Sequence, residues 1–485
     1  MKTFDIRLQK NLSAIKRLLP AEDILDFPFT TGDGVPCTLV YADGIVNKEL
    51  LGALVVRPLS VLHVKQKEDL DETLVQLSTR FPELKTVSSL QEACKEVLDG
   101  NTLLLVDGIT AGFIVGAKFL PTRAIIEPPT DVAVKGPREG FIEDVKVNMS
   151  LIRKRLKTPD LRFTLLRVGR RSDTAVAVCY LDGTANADVL DAVKKKIEAI
   201  DIDVVPDSSY ISALITDGGH SLFRSVGTTE KPDVFCAKIA EGRVGVLVDG
   251  SPIALTAPYL FTEDLQSSED YFVSPFTATI FRAMRFLALF IALLLPAFYV
   301  SSELFKMQLL PLGLMLTIAG SVRALPLSPG MEMFVVLLLF EILKEASIRM
   351  PKYVGTSLSI VGGLVLGETA VRAGFLSTPA IIIVALSGIC LYTVPNFVET
   401  GSVLRWLFLL VGGSLGPFGI VLLASFLVCY LCTAESFDTP ILAPFTPLIP
   451  HDLKDSAIKY GLQNLATRPK TLHSPNKTRL KGDTP

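Results

Sequence analysis

Hydrophobic and polar positions are distributed unevenly along the 485 residues of the chain. Most charged residues fall within the first 285 residues and the C-terminal tail, whereas the segment between them consists mainly of Leu, Ile, Val, Phe, Gly and Ala. The first part mixes apolar and polar positions as a water-soluble domain does, and the second contains apolar runs long enough to cross a bilayer. The pattern predicts an α/β soluble half followed by an all-α polytopic membrane domain.

One apolar stretch, residues 353–373, carries two distinct helical faces and is long enough to span a bilayer at about 1.5 Å per residue. On one face small residues recur at every fourth position, which lets a neighbouring helix approach closely. These helix-packing candidates are Gly355, Ser359, Gly363 and Gly367. The opposite face carries the candidates for lining a conduit or pore: Ser357, Val361, Leu364, Val365 and Glu368.

Glu368 is the strongly ionisable carboxylate of this stretch. A carboxylate is costly in lipid and usually faces a partner or a water-filled path. Two hypotheses follow from its position. Glu368 pairs with Arg372, four residues later, near the membrane edge, or it lines an ion conduit.

The apolar segments together predict about four membrane spans. Arg282 and Arg285 precede the first span, 286–300, and favour a cytoplasmic N-terminus. The remaining spans are predicted at 355–371, 378–394 and 403–432. The last of these is expected to be bent or broken in its middle, where it contains Gly412, Gly413, Gly416 and Pro417.

Residues 308–349 predict a re-entrant or interfacial excursion between the first and second spans. The excursion begins with a short apolar segment containing Pro311 and Gly313. Positive charges in and beside it conflict with an outer loop: Lys306, Arg323, Lys344, Arg349 and Lys352. Two additional short crossings, making six spans, would relieve part of that conflict.

The soluble half contains an internal repeat. NLSAIKRLL from Asn11 resembles NMSLIRKRL from Asn148, LVYADG resembles VCYLDG, and EACKEVLDGNTLLLVDG resembles VFCAKIAEGRVGVLVDG. Three matches in the same order indicate a duplication. Each copy predicts a helix, two strands that end in an Asp-Gly turn, one or more helices, and a final pair of strands around Val-Asp-Gly. In the second copy the predicted elements are strands 161–168, 175–181 and 244–248 and helix 187–200.

These patterns predict two related α/β domains in tandem, separated by a linker that Pro128 and Pro129 mark. The predicted boundaries are a first cytoplasmic α/β domain at 1–125, the linker at 126–138, a second cytoplasmic α/β domain at 139–272, the transmembrane domain at 273–437, and a basic, partly disordered cytoplasmic tail at 438–485.

Candidate chemistry is sparse. The net charge of −2 does not indicate a nucleic-acid partner, the seven Cys are scattered, and the four His show no ligand spacing. No phosphate-binding glycine motif, zinc-protease motif or Ser/His/Asp arrangement stands out. Four Asp at repeated positions of the duplication each precede Gly and are expected to serve the turns: Asp43, Asp107, Asp182 and Asp249. We predict no enzymatic activity, catalytic residue, cofactor or metal.

Several longer motifs occur in order along the chain. They are GPREGFIEDVKVNMSLIRKRL at 136–156, EKPDVFCAKIAEGRVGVLVDGSP at 230–252, QSSEDYF at 266–272, EILKEASIRMP at 341–351 and SIVGGLVLGETAV at 359–371. Together they resemble the A-subunit family of bacterial spore germinant receptors, the GerA family. That family includes nutrient-receptor A subunits and a close paralogue, stage V sporulation protein AF, an accessory protein of the same membrane.

The resemblance implies a multi-pass protein of the spore inner membrane with a cytoplasmic N-terminal domain. It implies a ring-like homo-oligomer, a pentamer, around a nutrient-gated conduit for monovalent cations. It also implies a transporter-like B subunit that binds the nutrient, a lipoprotein C subunit, and contact with membrane lipid. The alternatives are a non-conducting or accessory scaffold like stage V sporulation protein AF, and a secondary transporter, against which the membrane half shows no inverted repeat.

Overall fold

The computed structural model describes residues 3–61, 84–117, 135–216, 221–305, 308, 311–322, 325–351, 360, 362–363 and 365–479. The chain forms two compact units. The first, an α/β unit, comprises Met1–Leu260, Glu435–Thr439 and Leu462–Pro485. The second, a helical unit, comprises Phe261–Ala434 and Pro440–Gly461.

The α/β unit begins with an antiparallel five-stranded sheet in the order β1-β2-β4-β5-β3. Its elements are α1 (Leu8–Leu18), β1 (Ile24–Thr30), β2 (Pro36–Ala42), α2 (Lys48–Leu51), a π-helical turn (Gly52–Val56), α3 (Arg57–Val61), β3 (Leu84–Val87), α4 (Leu90–Leu98), β4 (Thr102–Val106) and β5 (Gly112–Val115).

A second antiparallel sheet follows in the order β6-β7-β9-β10-β8. Its elements are α5 (Val145–Arg155), β6 (Leu161–Val168), β7 (Thr174–Leu181), α6 (Ala187–Glu198), α7 (Ser208–Ile215), β8 (Gly227–Thr229), α8 (Pro232–Glu241), β9 (Val244–Val248) and β10 (Ala254–Ala257). The predicted strands 161–168 and 244–248 are confirmed at both ends.

Position by position, the second sheet has the strand order of the first, and the repeated residues make equivalent contacts. The Asn11 side chain accepts the Asp5 N–H at 2.7 Å and donates to the Asp5 carbonyl at 2.6 Å. Asn148 makes the same pair of bonds with Ile142, at 2.9 and 2.5 Å. The predicted repeat therefore has a structural counterpart. Its division into two separate domains stays a prediction, because both sheets fall within one compact unit.

Two of the Asp-Gly positions do more than the turn role that the sequence predicts for them. The Asp107 carboxylate accepts the N–H of Leu8, the first residue of α1, at 2.9 Å. Asp249 accepts the N–H of Val145, the first residue of α5, at 3.2 Å. The first N–H groups of a helix have no partner within it and favour a negative charge. Each Asp thus joins the end of a strand to the start of a helix.

Helices cover both faces of each sheet because successive strand residues point to opposite sides. In the second sheet, Val176 and Val178 pack with α6 and α7, and Ala177 and Cys179 with α5 and α8. The first sheet alternates in the same way. Leu39 and Leu104 lie in the cluster that contains residues of α2 and α3, and Val40, Leu103 and Leu105 lie in the cluster that contains residues of α1 and α4.

A buried ion pair joins the two halves of the α/β unit. Arg153 of α5 donates from Nε and Nη2 to the Asp23 carboxylate at 2.8–3.0 Å, and these side chains are 1% and 3% exposed. The guanidinium also donates to the carbonyls of Thr158 and Leu161 and lies 5.2 Å from the Phe163 ring centroid. Every charged group in this contact therefore has partners, as burial requires.

The C-terminal segment returns to the α/β unit in two places. The Ser436 hydroxyl donates to the Ser225 carbonyl at 2.6 Å, and Phe437 joins the core beneath the second sheet. Further on, Arg468 donates to the Ala240 carbonyl at 2.7 Å and Ser474 to the Thr184 carbonyl at 2.6 Å. Part of the predicted tail is therefore ordered against the second sheet.

The helical unit is built mainly from long apolar helices. Its α-helices are α9 (Pro275–Phe305), α10 (Leu312–Val322), α11 (Pro329–Arg349), α12 (Ala370–Arg372), α13 (Thr378–Leu391), α14 (Val398–Thr433) and α15 (Leu453–Ser456). Shorter helical turns occur at Phe261–Glu263, Ser268–Tyr271, Val365–Thr369 and Pro395–Phe397. Two-residue strands, Glu435–Ser436 and Thr439–Pro440, follow α14.

Two helices among the described residues are long and apolar enough to cross a membrane, by length and composition: Pro275–Phe305 and Pro395–Thr433. Thr378–Leu391 is a shorter apolar helix. The predicted break in the last span is confirmed at Gly416, which has φ 67° and ψ −154° and precedes Pro417. The predicted total of four or six spans stays a prediction.

We expect Asp23→Asn to lower the thermal unfolding midpoint of the purified full-length chain by about 10 °C, because it leaves the Arg153 charge buried without its counter-ion. Arg153→Lys should be intermediate, since it retains the charge but loses the two-pronged geometry. The control is Arg170→Gln, which removes an exposed pair with Asp201 and should change the midpoint little. Equal unfolding midpoints for Asp23→Asn and Arg170→Gln would contradict a stabilising role of the Asp23–Arg153 ion pair.

Candidate functional site

The structure describes part of the predicted two-faced helix. Five of the predicted residues lie outside the described residues: Gly355, Ser357, Ser359, Val361 and Leu364. The described part contains a π-helical turn, Val365–Thr369, followed directly by α12. The backbone of Val365 belongs to that turn. The two faces assigned to 353–373 therefore stay predictions over most of their length.

Glu368 forms the ion pair that was one of its two predicted roles. Its carboxylate accepts from Arg372 at 2.5 Å, and the side chains of Glu368 and Arg372 are 56% and 78% exposed. A Cβ built at Gly363 or Gly367 would meet no atom of the described residues within 4 Å. Within one chain, the described part of the small-residue stripe is therefore not covered by another helix.

The first long helix begins at a buried cluster of charges, here called the collar cluster: Asp270, Arg282, Arg285, Asp455 and Lys459. Asp270 belongs to the QSSEDYF motif, in which Ser267 and Asp270 form a capping box on the turn Ser268–Tyr271. Arg285 binds both Asp270 carboxylate oxygens at 2.9 Å, and Arg282 Nε donates to Asp270 at 3.0 Å. Two cations thus share one carboxylate.

Residues after the last long helix complete the collar cluster. Arg282 also donates to the backbone carbonyl of Asp455. The Asp455 carboxylate accepts from Lys459 Nζ at 3.0 Å and from the Tyr271 hydroxyl at 3.1 Å. Lys459 Nζ lies 3.7 Å from the Tyr271 ring centroid, a cation–π distance. The collar cluster therefore ties residues 266–285 to residues 452–459.

Asp270 is the carboxylate on which the cluster centres. Burial raises the pKa of the Asp270 carboxyl, but the hydrogen bonds and charges of Arg285 and Arg282 lower it by more, so the pKa lies below its usual range. Arg282 and Arg285, the charges that favoured a cytoplasmic N-terminus, are thus paired with carboxylates within the chain. They fix the start of α9, and the orientation of the chain in a membrane stays a prediction.

A second ionic network joins α11 to α14. Arg405, whose side chain is fully buried, donates to Glu341 at 2.5 Å and to the Ser387 hydroxyl at 3.1 Å. Lys344 pairs with Glu341 as well and donates to Ser402 at 2.9 Å. The charged residues at the end of the predicted excursion at 308–349 therefore fall into two groups. Glu341 and Lys344 contact other helices of the same unit. The other pair, Glu345 and Arg349, is exposed.

Sequence reasoning missed Asp270, Asp455 and Arg405 as partners. The spacing of Ser267 and Asp270 carries the signature of a capping box, which could have indicated a local role. Nothing local marks Arg405 as the partner of Glu341, 64 residues earlier. In the described part of the chain, no group of three or more His, Cys, Asp or Glu side chains is placed to hold a metal ion.

We expect Asp270→Asn to destabilise the helical unit by roughly 3–5 kcal/mol, because Arg282 and Arg285 lose their shared counter-ion. The readout is the fraction of detergent-purified chain that remains monodisperse after heating, compared with Glu345→Gln at an exposed pair. Because the folded pKa is depressed, the stabilisation is present above about pH 4 and disappears as pH falls below that. A deficit that persisted undiminished at pH 3 would contradict the ionic explanation.

Comparison with known proteins places this chain among relatives of similar length. The family model for the Bacillus/Clostridium GerA spore germination protein matches residues 13–471. The uncharacterized membrane protein YfkQ of Bacillus subtilis (strain 168) is 34% identical over 467 residues, which cover 96% of this chain and 91% of that protein. Spore germination protein KA of the same organism is 32% identical over 477 residues, covering 97% of this chain and 88% of that protein.

One solved structure is also similar, the N-terminal domain of the A subunit of the Bacillus megaterium spore germinant receptor GerK3. It is 26% identical and covers 54% of this chain and 98% of its own, with a TM-score of 0.43, a likeness too weak to support a conclusion about the fold. The family model covers both units of the chain, and two relatives match it over most of their own length. This chain therefore belongs to the GerA family of spore germination proteins.

Proposed function

We propose that this chain is the A subunit of a spore germination receptor and that its copies form a cation channel. The observation that carries the receptor role is the family match, which runs through both units from residue 13 to residue 471. Relatives named as spore germination proteins match it over most of their length, among them protein KA of Bacillus subtilis and GerLA of Bacillus cereus. Two helices suited by length and composition to crossing a membrane support a membrane location.

The proposed assembly is a ring of identical chains, five in number, around a path for monovalent cations. Residues 353–373 supply the pore helix, with Ser357, Val361, Leu364, Val365 and Glu368 facing the path. The opposite stripe, Gly355, Ser359, Gly363 and Gly367, packs against a neighbour. Two observations support contacts of both faces with neighbouring copies. The side chains of the Glu368–Arg372 pair are exposed on the single chain, and no described atom lies within 4 Å of a Cβ built at Gly363 or Gly367.

Each proposed subunit of the receptor has a separate function. A transporter-like B subunit binds the nutrient, a lipoprotein C subunit attaches, and this chain conducts potassium or sodium when the complex opens in the spore inner membrane. The first unit, placed in the cytoplasm, contributes packing surfaces. Its free Cys are buried in the sheet cores, and burial raises the pKa of the Cys37 and Cys236 thiols to about 12, which makes them unreactive packing residues.

We expect the full-length chain reconstituted into liposomes to release potassium, and Glu368→Lys to reduce that release by about tenfold or more. A lysine from every subunit places like charge in the cation path, and tenfold corresponds to about 1.4 kcal/mol. Glu368→Gln should change the flux modestly.

The chain supplies a matched control in Glu345→Lys. Glu345 pairs with Arg349 at 2.6 Å and the same spacing, and it is 56% exposed, as Glu368 is. Its replacement should leave the flux unchanged. Unaltered flux in Glu368→Lys would remove Glu368 from the path. A chain that stays monomeric or dimeric and gives no flux would favour the accessory scaffold, like stage V sporulation protein AF.

A further inference from the structure

The helical unit contains a second place where carboxylates meet, and there they lack a positive partner. Tyr299 and Glu303 lie one turn apart on the same face of α9, and Glu332 lies in the first turn of α11. Glu303 is 9% exposed and Glu332 is fully buried. Tyr299 and Val300 of α9 pack in one hydrophobic cluster with Met333 and Leu337 of α11, which brings together the segments that carry Glu303 and Glu332. We call Tyr299, Glu303 and Glu332 the acidic pocket.

The oxygens of the acidic pocket are buried but largely unsatisfied. Both Glu303 carboxylate oxygens, Glu332 Oε2 and the Tyr299 hydroxyl have no hydrogen-bond partner among the described residues. A buried polar group without a partner costs free energy, and a buried charge without one costs much more. In the collar cluster and the Glu341–Arg405 network, by contrast, the buried charged side chains pair with groups of opposite charge. The acidic pocket departs from that pattern, because four of its buried oxygen atoms have no hydrogen-bond partner among the described residues.

The charge of the pocket is unevenly compensated. Glu332 Oε1 accepts the N–H of Ser377, the residue that caps the start of α13, so the positive end of that helix offsets part of its charge. Glu303 forms no ion pair with any described Lys, Arg or His. Apolar side chains surround the site, including Val300, Leu337 and Leu376. When Glu303 is ionised, its negative charge has no described positive partner.

We propose that the acidic pocket binds a monovalent metal cation, sodium or potassium. Carboxylate and hydroxyl oxygens are the ligands that hard cations take, and one positive charge matches the charge of ionised Glu303. Intramembrane carboxylates facing a bundle interior commonly mark ion sites. The pocket lies on α9 and α11, apart from the residues 353–373 assigned to the pore, so the inference stands whether or not the chain conducts. Binding there holds the end of α9 to the starts of α11 and α13.

The test is the thermal unfolding midpoint of the full-length chain in detergent, in sodium or potassium chloride and in choline chloride at equal ionic strength. We expect sodium or potassium to raise the wild-type midpoint by roughly 2–4 °C over choline, as a weak ligand does at several times its dissociation constant. Glu303→Gln should abolish that difference. In choline chloride the Glu303→Gln variant should be at least as stable as the wild type, because the substitution removes repulsion between Glu303 and Glu332.

Two further variants keep the test decisive. Tyr299→Phe removes one oxygen with little change in shape and should reduce the cation-dependent difference. Glu345→Gln, at an exposed pair, should retain it in full. Equal midpoints in choline and in both metal salts would overturn the proposal, as would a cation effect that survives in Glu303→Gln. A rise produced by calcium and by neither monovalent ion would overturn the monovalent assignment.

Discussion

Charged side chains that are removed from water must find partners, and this constraint shapes both units of the chain. In the α/β unit, Arg153 and Asp23 satisfy it across the junction between two sheets. In the helical unit, Asp270 satisfies it for two arginines at the start of α9, and Glu341 does so for Arg405. Such pairs add little net stability over apolar packing, but breaking one leaves a buried charge, so they fix which elements meet.

In the acidic pocket, the described residues of the chain do not supply positive partners for the buried carboxyl groups. Glu303 and Glu332 are buried beside an apolar cluster, and neither forms an ion pair with a described Lys, Arg or His. A protein that places uncompensated carboxylates inside a helical bundle carries a cost that a bound ion relieves. The exposed Glu368–Arg372 pair differs in this respect, because its side chains satisfy each other on the outside of a single chain. We therefore propose different functions for the two acidic sites. The acidic pocket binds a cation, and Glu368 lines a cation path.

Local patterns in the sequence predicted much of the fold. Strands β6 and β9 were predicted to the residue, because each is a short run rich in apolar residues that ends at a turn signal, Gly169 after β6 and Asp249-Gly250 after β9. The break at Gly416 followed from a Gly-Pro pair in an apolar run. Strands β3 and β8 were missed, because edge strands of four and three residues are too short to show alternation. Pairings such as Arg153 with Asp23, 130 residues apart, leave no local signature.

The role of the small-residue stripe and of Glu368 depends on a neighbouring copy, so the central claim is that the chain assembles with itself. The most direct test is the mass of the full-length protein, purified in detergent and measured by native mass spectrometry over a range of concentrations. We expect one discrete closed species containing five copies of the 52.6 kDa chain. A monomer at every concentration would contradict it, because no conduit between identical subunits could then form.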